Sequence, residues 1–209
     1  MFKNKLNETK SRKVNVKLST QTMAVFAILI AAQFVISQFL TFQVWNIKIG
    51  FSFVPVVIAA RLYGAIGAAE VAGIGDIIGV MFRPVGIWFP PITISAMLVG
   101  AIFGLLLKKS DSFIRILISV LISEFVFSLF ITPLWLTILY KGNETDFFAF
   151  YFSTLVSRLF VQIIPMTIVK LVVITAMLKA MDKIKFVRHM TEVNTWNFLY
   201  LLIFSTPNK

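Results

Sequence analysis

The stretch Phe82-Arg83-Pro84-Val85-Gly86-Ile87-Trp88-Phe89-Pro90-Pro91 sets three aromatic rings and a guanidinium among residues that interrupt helices. An aromatic face beside a cation suits a flat heterocycle that carries carboxylates. By analogy with base stacking, such a ring contact contributes about 1–3 kcal/mol. Removing one partner of a buried charge pair costs roughly 2–5 kcal/mol. The plainer reading of the same residues is an aromatic belt at a membrane interface, where tryptophan is enriched. Arg158 and Gln162 stand four apart and so share one helix face. Gln33, Ser37 and Gln38 recur about one turn apart in an otherwise apolar run. An unpartnered amide in lipid is expensive, so these side chains must face protein, water or a ligand. Hydrogen bonding between helices would satisfy them; the functional reading is a polar hollow that opens outward.

Ionisable groups inside a membrane are functional candidates by default, and Glu70, Asp76, Glu124 and Lys170 join Arg158 in that class. Each has a structural alternative. Glu124 and Arg158 could neutralise each other, Asp76 could cap a neighbouring helix, and Lys170 could snorkel inward. Nothing suggests catalysis. Cysteine is absent, and the one histidine, His189, lies in a basic tail, which argues against thiol chemistry and zinc. There is no phosphate-binding Gly-x-x-x-x-Gly-Lys-Ser/Thr loop, no His-Glu-x-x-His and no Gly-x-Ser-x-Gly. The expectation is a chain with no catalytic residue, no metal and no cofactor of its own. An intramembrane enzyme would need Glu70, Asp76 and Glu124 to converge in one wet cavity.

The elements that must position these residues follow from composition. Of 209 residues, 58% are hydrophobic and 14% charged, and mean hydropathy is +0.89. A soluble domain carries about a quarter charged residues. One bilayer crossing needs about 20 apolar residues, which predicts an all-α integral membrane protein with six transmembrane helices, at 22–42, 53–67, 68–82, 92–107, 113–140 and 147–179. A basic arm (1–19) precedes this membrane domain (20–181), and a basic and apolar tail (182–209) follows it. The apolar run 196–204 is too short to span and is assigned no function.

Net charge is +11, but its distribution argues against nucleic acid as a partner. Six basic residues lie in the arm, and Lys108, Lys109 and Arg115 flank one inner junction. Lys179, Lys183, Lys185 and Arg188 follow the last crossing, while the outer loops hold Lys48, Arg83 and Lys141. That bias predicts both termini in the cytoplasm.

Small residues recur at every fourth position: Ala60, Gly64, Ala68 and Ala72; Gly75 and Gly79; Ala96, Gly100 and Gly104; Ala27 and Ala31. Such spacing lets helix backbones approach closely. Internal packing explains most of them, whereas Ala27 and Ala31, on the first helix of a small bundle, could equally face a partner.

Three stretches carry a resemblance. They are Ile47-Lys48-Ile49-Gly50-Phe51-Ser52-Phe53-Val54-Pro55, Gly73-Ile74-Gly75-Asp76-Ile77-Ile78-Gly79, and Phe89-Pro90-Pro91-Ile92-Thr93-Ile94-Ser95-Ala96 followed by Gly100 and Gly104. Together they resemble the S components, or substrate-binding subunits, of energy-coupling factor (ECF) vitamin transporters, most closely the folate group. Pro91 departs from the glycine usual in that family. The resemblance implies a multi-pass protein of the bacterial plasma membrane that captures a vitamin from outside. It also implies docking on a transmembrane T component with two ATPases, which would use ATP and Mg, and release of the vitamin inside. Ala27 and Ala31 match the family's Ala-x-x-x-Ala contact with the T component.

The expected substrate-binding set is Gln33, Ser37, Phe82, Arg83, Trp88, Phe89, Thr93, Ser95, Arg158 and Gln162. Folate suits it, since a pterin needs stacking and amide partners and a glutamate tail needs cations. Pantothenate, riboflavin or thiamine carried by the same architecture, and a stand-alone channel or scaffold, are the alternatives.

Overall fold

In hydrocarbon every backbone N–H and C=O must find its partner within the chain, and the apolar runs meet that demand as helices. The computed structural model describes residues 20–44, 47–82, 87–108, 112–140 and 146–183. Five helices in it are long and apolar enough to cross a membrane. They are α1 (Thr20–Phe39), α2 (Phe53–Phe82), α3 (Pro90–Leu107), α4 (Phe113–Tyr140) and α5 (Phe147–Met181). Their outward faces carry large apolar side chains such as Ile28, Ile66, Leu105 and Val172, as lipid contact requires. The arm, most of the tail, His189 and the loop residues Arg83 to Gly86 lie outside the described residues.

The first helix ends at Phe39 and not at residue 42. Beyond it, β1 (Thr41–Val44) and β2 (Ile47–Gly50) form an antiparallel hairpin that pairs Thr41 with Gly50 and Val44 with Ile47. Apolar and polar residues alternate across both strands, the period-two signature of β structure.

Helix α2 covers both the second and third expected crossings and breaks at Gly64, where φ is 79° and ψ is −153°. That region of backbone space is essentially reserved for glycine. Arg61 Nη1 donates to the carbonyls of Leu107 (3.0 Å) and Lys108 (3.3 Å), and Gly64 abuts the Lys108 side chain. Phe53 and Val56 before the break, and Ala72 to Gly79 after it, line one cavity. The two pieces therefore border one cavity from either side of the kink at Gly64. The sequence reading set a turn between Gly67 and Ala68. A Gly64→Ala change puts a methyl 2.7 Å from Lys108 Cδ in a backbone conformation alanine disfavours. It should lower stability by about 1–3 kcal/mol, read as an earlier thermal midpoint in detergent.

Helix α3 starts with Pro90 and Pro91 in its first turn, after Phe89 in extended conformation, where a missing N–H costs nothing. It packs against the second piece of α2 through glycines. A Cβ at Gly100 would meet the Ala68 carbonyl oxygen at 2.5 Å, and one at Gly104 would collide with Ala65 backbone. The four-residue spacing of small residues is thus internal packing at these positions.

Helices α4 and α5 each contain a π-helical segment, Ile122–Ile131 and Leu159–Ile163. Pro133 and Pro165 follow two residues after each segment. A proline ring removes a donor and clashes with the carbonyl four residues back, and a widened turn relieves that clash. Such turns recur at functional sites, and these two carry Glu124, Ser128 and Gln162.

Candidate functional site

Helices α1 to α5 and the hairpin enclose a cavity of about 340 Å³. Of the ten side chains expected to contact substrate, Gln33, Ser37, Trp88, Phe89, Thr93, Ser95, Arg158 and Gln162 line it. Phe82 does not. It is 73% exposed and packs its ring 4.9 Å from that of Phe34, on the outside of the bundle. Arg83 lies outside the described residues. Ala27 and Ala31 are exposed on α1, away from the cavity.

Two tryptophan-anchored relays build one wall. Trp88 is 50% exposed, and its Nε1 donates to Thr93 Oγ1 (3.2 Å). Thr93 Oγ1 in turn donates to Asp76 Oδ2 (2.8 Å). Asp76 therefore orients a chain that ends on an aromatic ring; the sequence reading had it capping a neighbouring helix, and among the described residues it accepts from the Thr93 side chain instead. Phe89 sits edge-on to Trp135, with ring centroids 6.1 Å apart. Trp135 Nε1 donates to Ser95 Oγ (3.1 Å), which donates back to the Pro91 carbonyl (2.8 Å).

The cationic wall is deeper in protein. Arg158 is 4% exposed, and its Nη2 donates to Ser128 Oγ (3.2 Å). Gln162 Nε2 donates to the same oxygen (2.9 Å), while Gln162 Oε1 accepts from the Lys48 backbone N–H (2.9 Å). One amide thus joins α4, α5 and the hairpin, and holds the guanidinium between them. Arginine is donor-only, so this wall asks a ligand for acceptors, most strongly for carboxylate.

A third wall comes from α1. Gln38 Nε2 donates to the Gly79 carbonyl (3.2 Å) and Ser37 Oγ to that of Phe34 (2.8 Å). Gln33 packs against Gly75, where any Cβ would clash with the amide. Its Nε2 reaches the Ala72 carbonyl at 3.5 Å, the outer edge of hydrogen bonding.

Glu124, 2% exposed, pairs with Lys170, whose ammonium also lies 5.4 Å from the centre of the Phe53 ring. The sequence reading offered Arg158 as the partner of Glu124, and the Glu124 charge does favour the Arg158 guanidinium, but the close ion pair is with Lys170, which had been expected to snorkel inward. Both members of the observed pair line the cavity.

Ser128, Trp135 and the Lys48 backbone were not anticipated. Glu124, Ser128 and Thr132 stand four apart on α4 and all face the cavity. That polar stripe in an apolar helix was the available signal.

A model of the family described as "ECF transporter, substrate-specific component" matches residues 21–206. The chain is 34% identical to the folate transporter FolT of Clostridium novyi over 129 residues, 61% of this chain and 72% of that one. It is 29% identical to the folate transporter FolT of Leuconostoc mesenteroides subsp. mesenteroides over 126 residues, 59% and 68% of the two chains. Among solved structures it is similar to FolT bound with folic acid. That match has a TM-score of 0.64 and 26% identity, and covers 74% of this chain and 92% of the other.

Proposed function

The chain belongs to the substrate-specific component family of ECF transporters, and from that premise we propose that it captures folate at the outer face and delivers it inward. The observation that carries this reading is one cavity lined by Trp88, Phe89 and a buried Arg158. Its volume falls within the roughly 300–1,000 Å³ typical of small-molecule sites. An aromatic wall accepts the pterin ring, the amides of Gln33 and Gln162 serve its polar edge, and Arg158 and Lys48 attract the glutamate carboxylates. The relatives named for folate, and the folic-acid-bound structure of similar fold, support the same ligand. The chain binds and transfers; it transforms nothing.

Purified protein should bind folic acid in preference to pantothenate, riboflavin and thiamine. Trp88→Ala should weaken that binding by about 1–3 kcal/mol, roughly 5- to 150-fold. Preference for another vitamin in a competition panel would replace folate, and an unchanged Trp88→Ala affinity would remove this loop from the site.

The break at Gly64 divides α2 into two passes, so the chain makes six, with both termini in the cytoplasm as the basic residues favour. The exposed Ala27 and Ala31 offer a close-approach face to a transmembrane T component, and two partner ATPases supply the ATP-driven step. Two measurements on membrane vesicles test this. A cysteine introduced by Lys13→Cys in right-side-out vesicles should react only with a permeant thiol reagent. Liposomes holding this chain alone should bind folate without accumulating it.

A further inference from the structure

Two acceptors in the cavity wall lack a hydrogen-bond donor among the described residues: Gln33 Oε1 and Glu124 Oε2. Both side chains are more than nine-tenths buried, and both residues line the cavity. Lys170 takes the other carboxylate oxygen of Glu124. Buried polar atoms are nearly always matched, so two unmatched acceptors around one hollow call for a ligand that brings donors. Arg158 makes the opposite demand, because it can only donate. The cavity is therefore directional, with acceptors on α1 and α4 and a donor on α5.

Depth orders these groups along the chain. Ser128, the oxygen that Arg158 and Gln162 share, lies one helical turn from Glu124, on its Tyr140 side. Gln162 is tied in turn to the hairpin. Glu124 thus sits farther from the hairpin than the guanidinium seat does. A carboxylate oxygen is matched best by N–H groups on the edge of a planar ring, where charge strengthens the bond. A 2-amino-4-oxopyrimidine ring presents such an edge, with an amino group beside a ring N–H.

We propose that Glu124, assisted by Gln33, is the specificity contact for the 2-amino-4-oxopyrimidine edge of the ligand. The assignment rests on the folate reading above and adds to it a recognising group. Lys170 and Phe53 act as positioning residues that hold the carboxylate in place.

The test is a thermodynamic cycle, read by calorimetry, between folic acid and its 2-desamino-2-methyl analogue on wild type and Glu124→Gln. Wild type should bind the analogue at least about tenfold more weakly, as loss of a hydrogen bond to a charged group predicts. In Glu124→Gln folic acid should weaken, and the gap between the ligands should close to about threefold or less, since the two changes remove one interaction. If Glu124→Gln does not fold, Glu124→Gln combined with Lys170→Met removes both charges and enters the same cycle. Equal binding of the two ligands by wild type overturns the role of Glu124 while leaving folate as the substrate. A variant that still discriminates as wild type does overturns it equally. Wild type that binds neither ligand overturns the folate reading and this assignment with it.

Discussion

Lys170→Met should destabilise the protein by about 3–5 kcal/mol, the cost of stranding one member of a buried ion pair. Glu124 is 2% exposed and its partner side chain 13%, so water cannot take over from the ammonium. The reasoning concerns the broken pair and not the intact one. Two charges brought into a low-dielectric interior lose much of their attraction to desolvation, and a matched apolar replacement can be neutral. Adding Glu124→Gln to Lys170→Met should therefore recover most of the loss. The thermal midpoints of the single and double variants in detergent measure both claims. An unchanged midpoint for Lys170→Met would show that the carboxylate is solvated or protonated there and that the pair contributes little.

The second large effect is on binding. Arg158→Met should weaken folic acid by about 2–5 kcal/mol, roughly 30- to several thousand-fold. Methionine keeps most of the packed stem, which isolates the guanidinium from the hydrocarbon that carries it. The group is already held by Ser128, beside the Gln162 amide, so little rotamer freedom is lost when a carboxylate arrives. Arg158→Lys should restore only part of the affinity, because an ammonium cannot make the two parallel bonds of a guanidinium fork. Titration calorimetry with folic acid decides; affinity within about threefold of wild type would place the carboxylate tail elsewhere.

Much of the cavity lining was legible because polar atoms in an apolar helix are conspicuous. Gln33, Ser37, Arg158 and Gln162 stand out in runs where each needs a partner, and they do meet around one cavity. Trp88, Phe89, Thr93 and Ser95 came from the proline-rich loop and the stretch that follows it, and they meet there too. Phe82 lies outside the cavity lining, because an aromatic at a helix end serves a cavity or a bundle surface equally well, and here it packs against Phe34. The partner of Glu124 was illegible for a related reason. Arg158 and Lys170 lie twelve positions apart on one helix, about 18 Å of rise, and widened turns in both α4 and α5 alter which of them reaches across.

Fold features were lost where two local signals competed. Residues 41–50 alternate as strands do, but the preceding apolar run extends into them, so the helix was carried too far. The sequence reading expected a turn between two crossings, and the structure shows a break at Gly64, a few residues earlier, within one long helix. Gly64 and Gly67 both sit in a small-residue run, and the choice between them is made by contacts with Lys108 that the local sequence does not encode.

The break at Gly64 also bears on how the seat meets solvent. The first pass of α2, from Phe53 to Tyr63, rises about 16 Å, half the roughly 30 Å thickness of a bilayer's oily interior. The hairpin that precedes it lines the cavity through Thr41, Ile47, Lys48 and Gly50, and extended backbone within a bilayer is tolerated only against protein or an aqueous recess. Lys48 and Trp88 are exposed at the cavity, so a ligand that enters displaces water there, away from the buried Glu124–Lys170 pair. Affinity then includes the release of ordered solvent, so the heat of binding reports expelled water as well as the contacts that replace it.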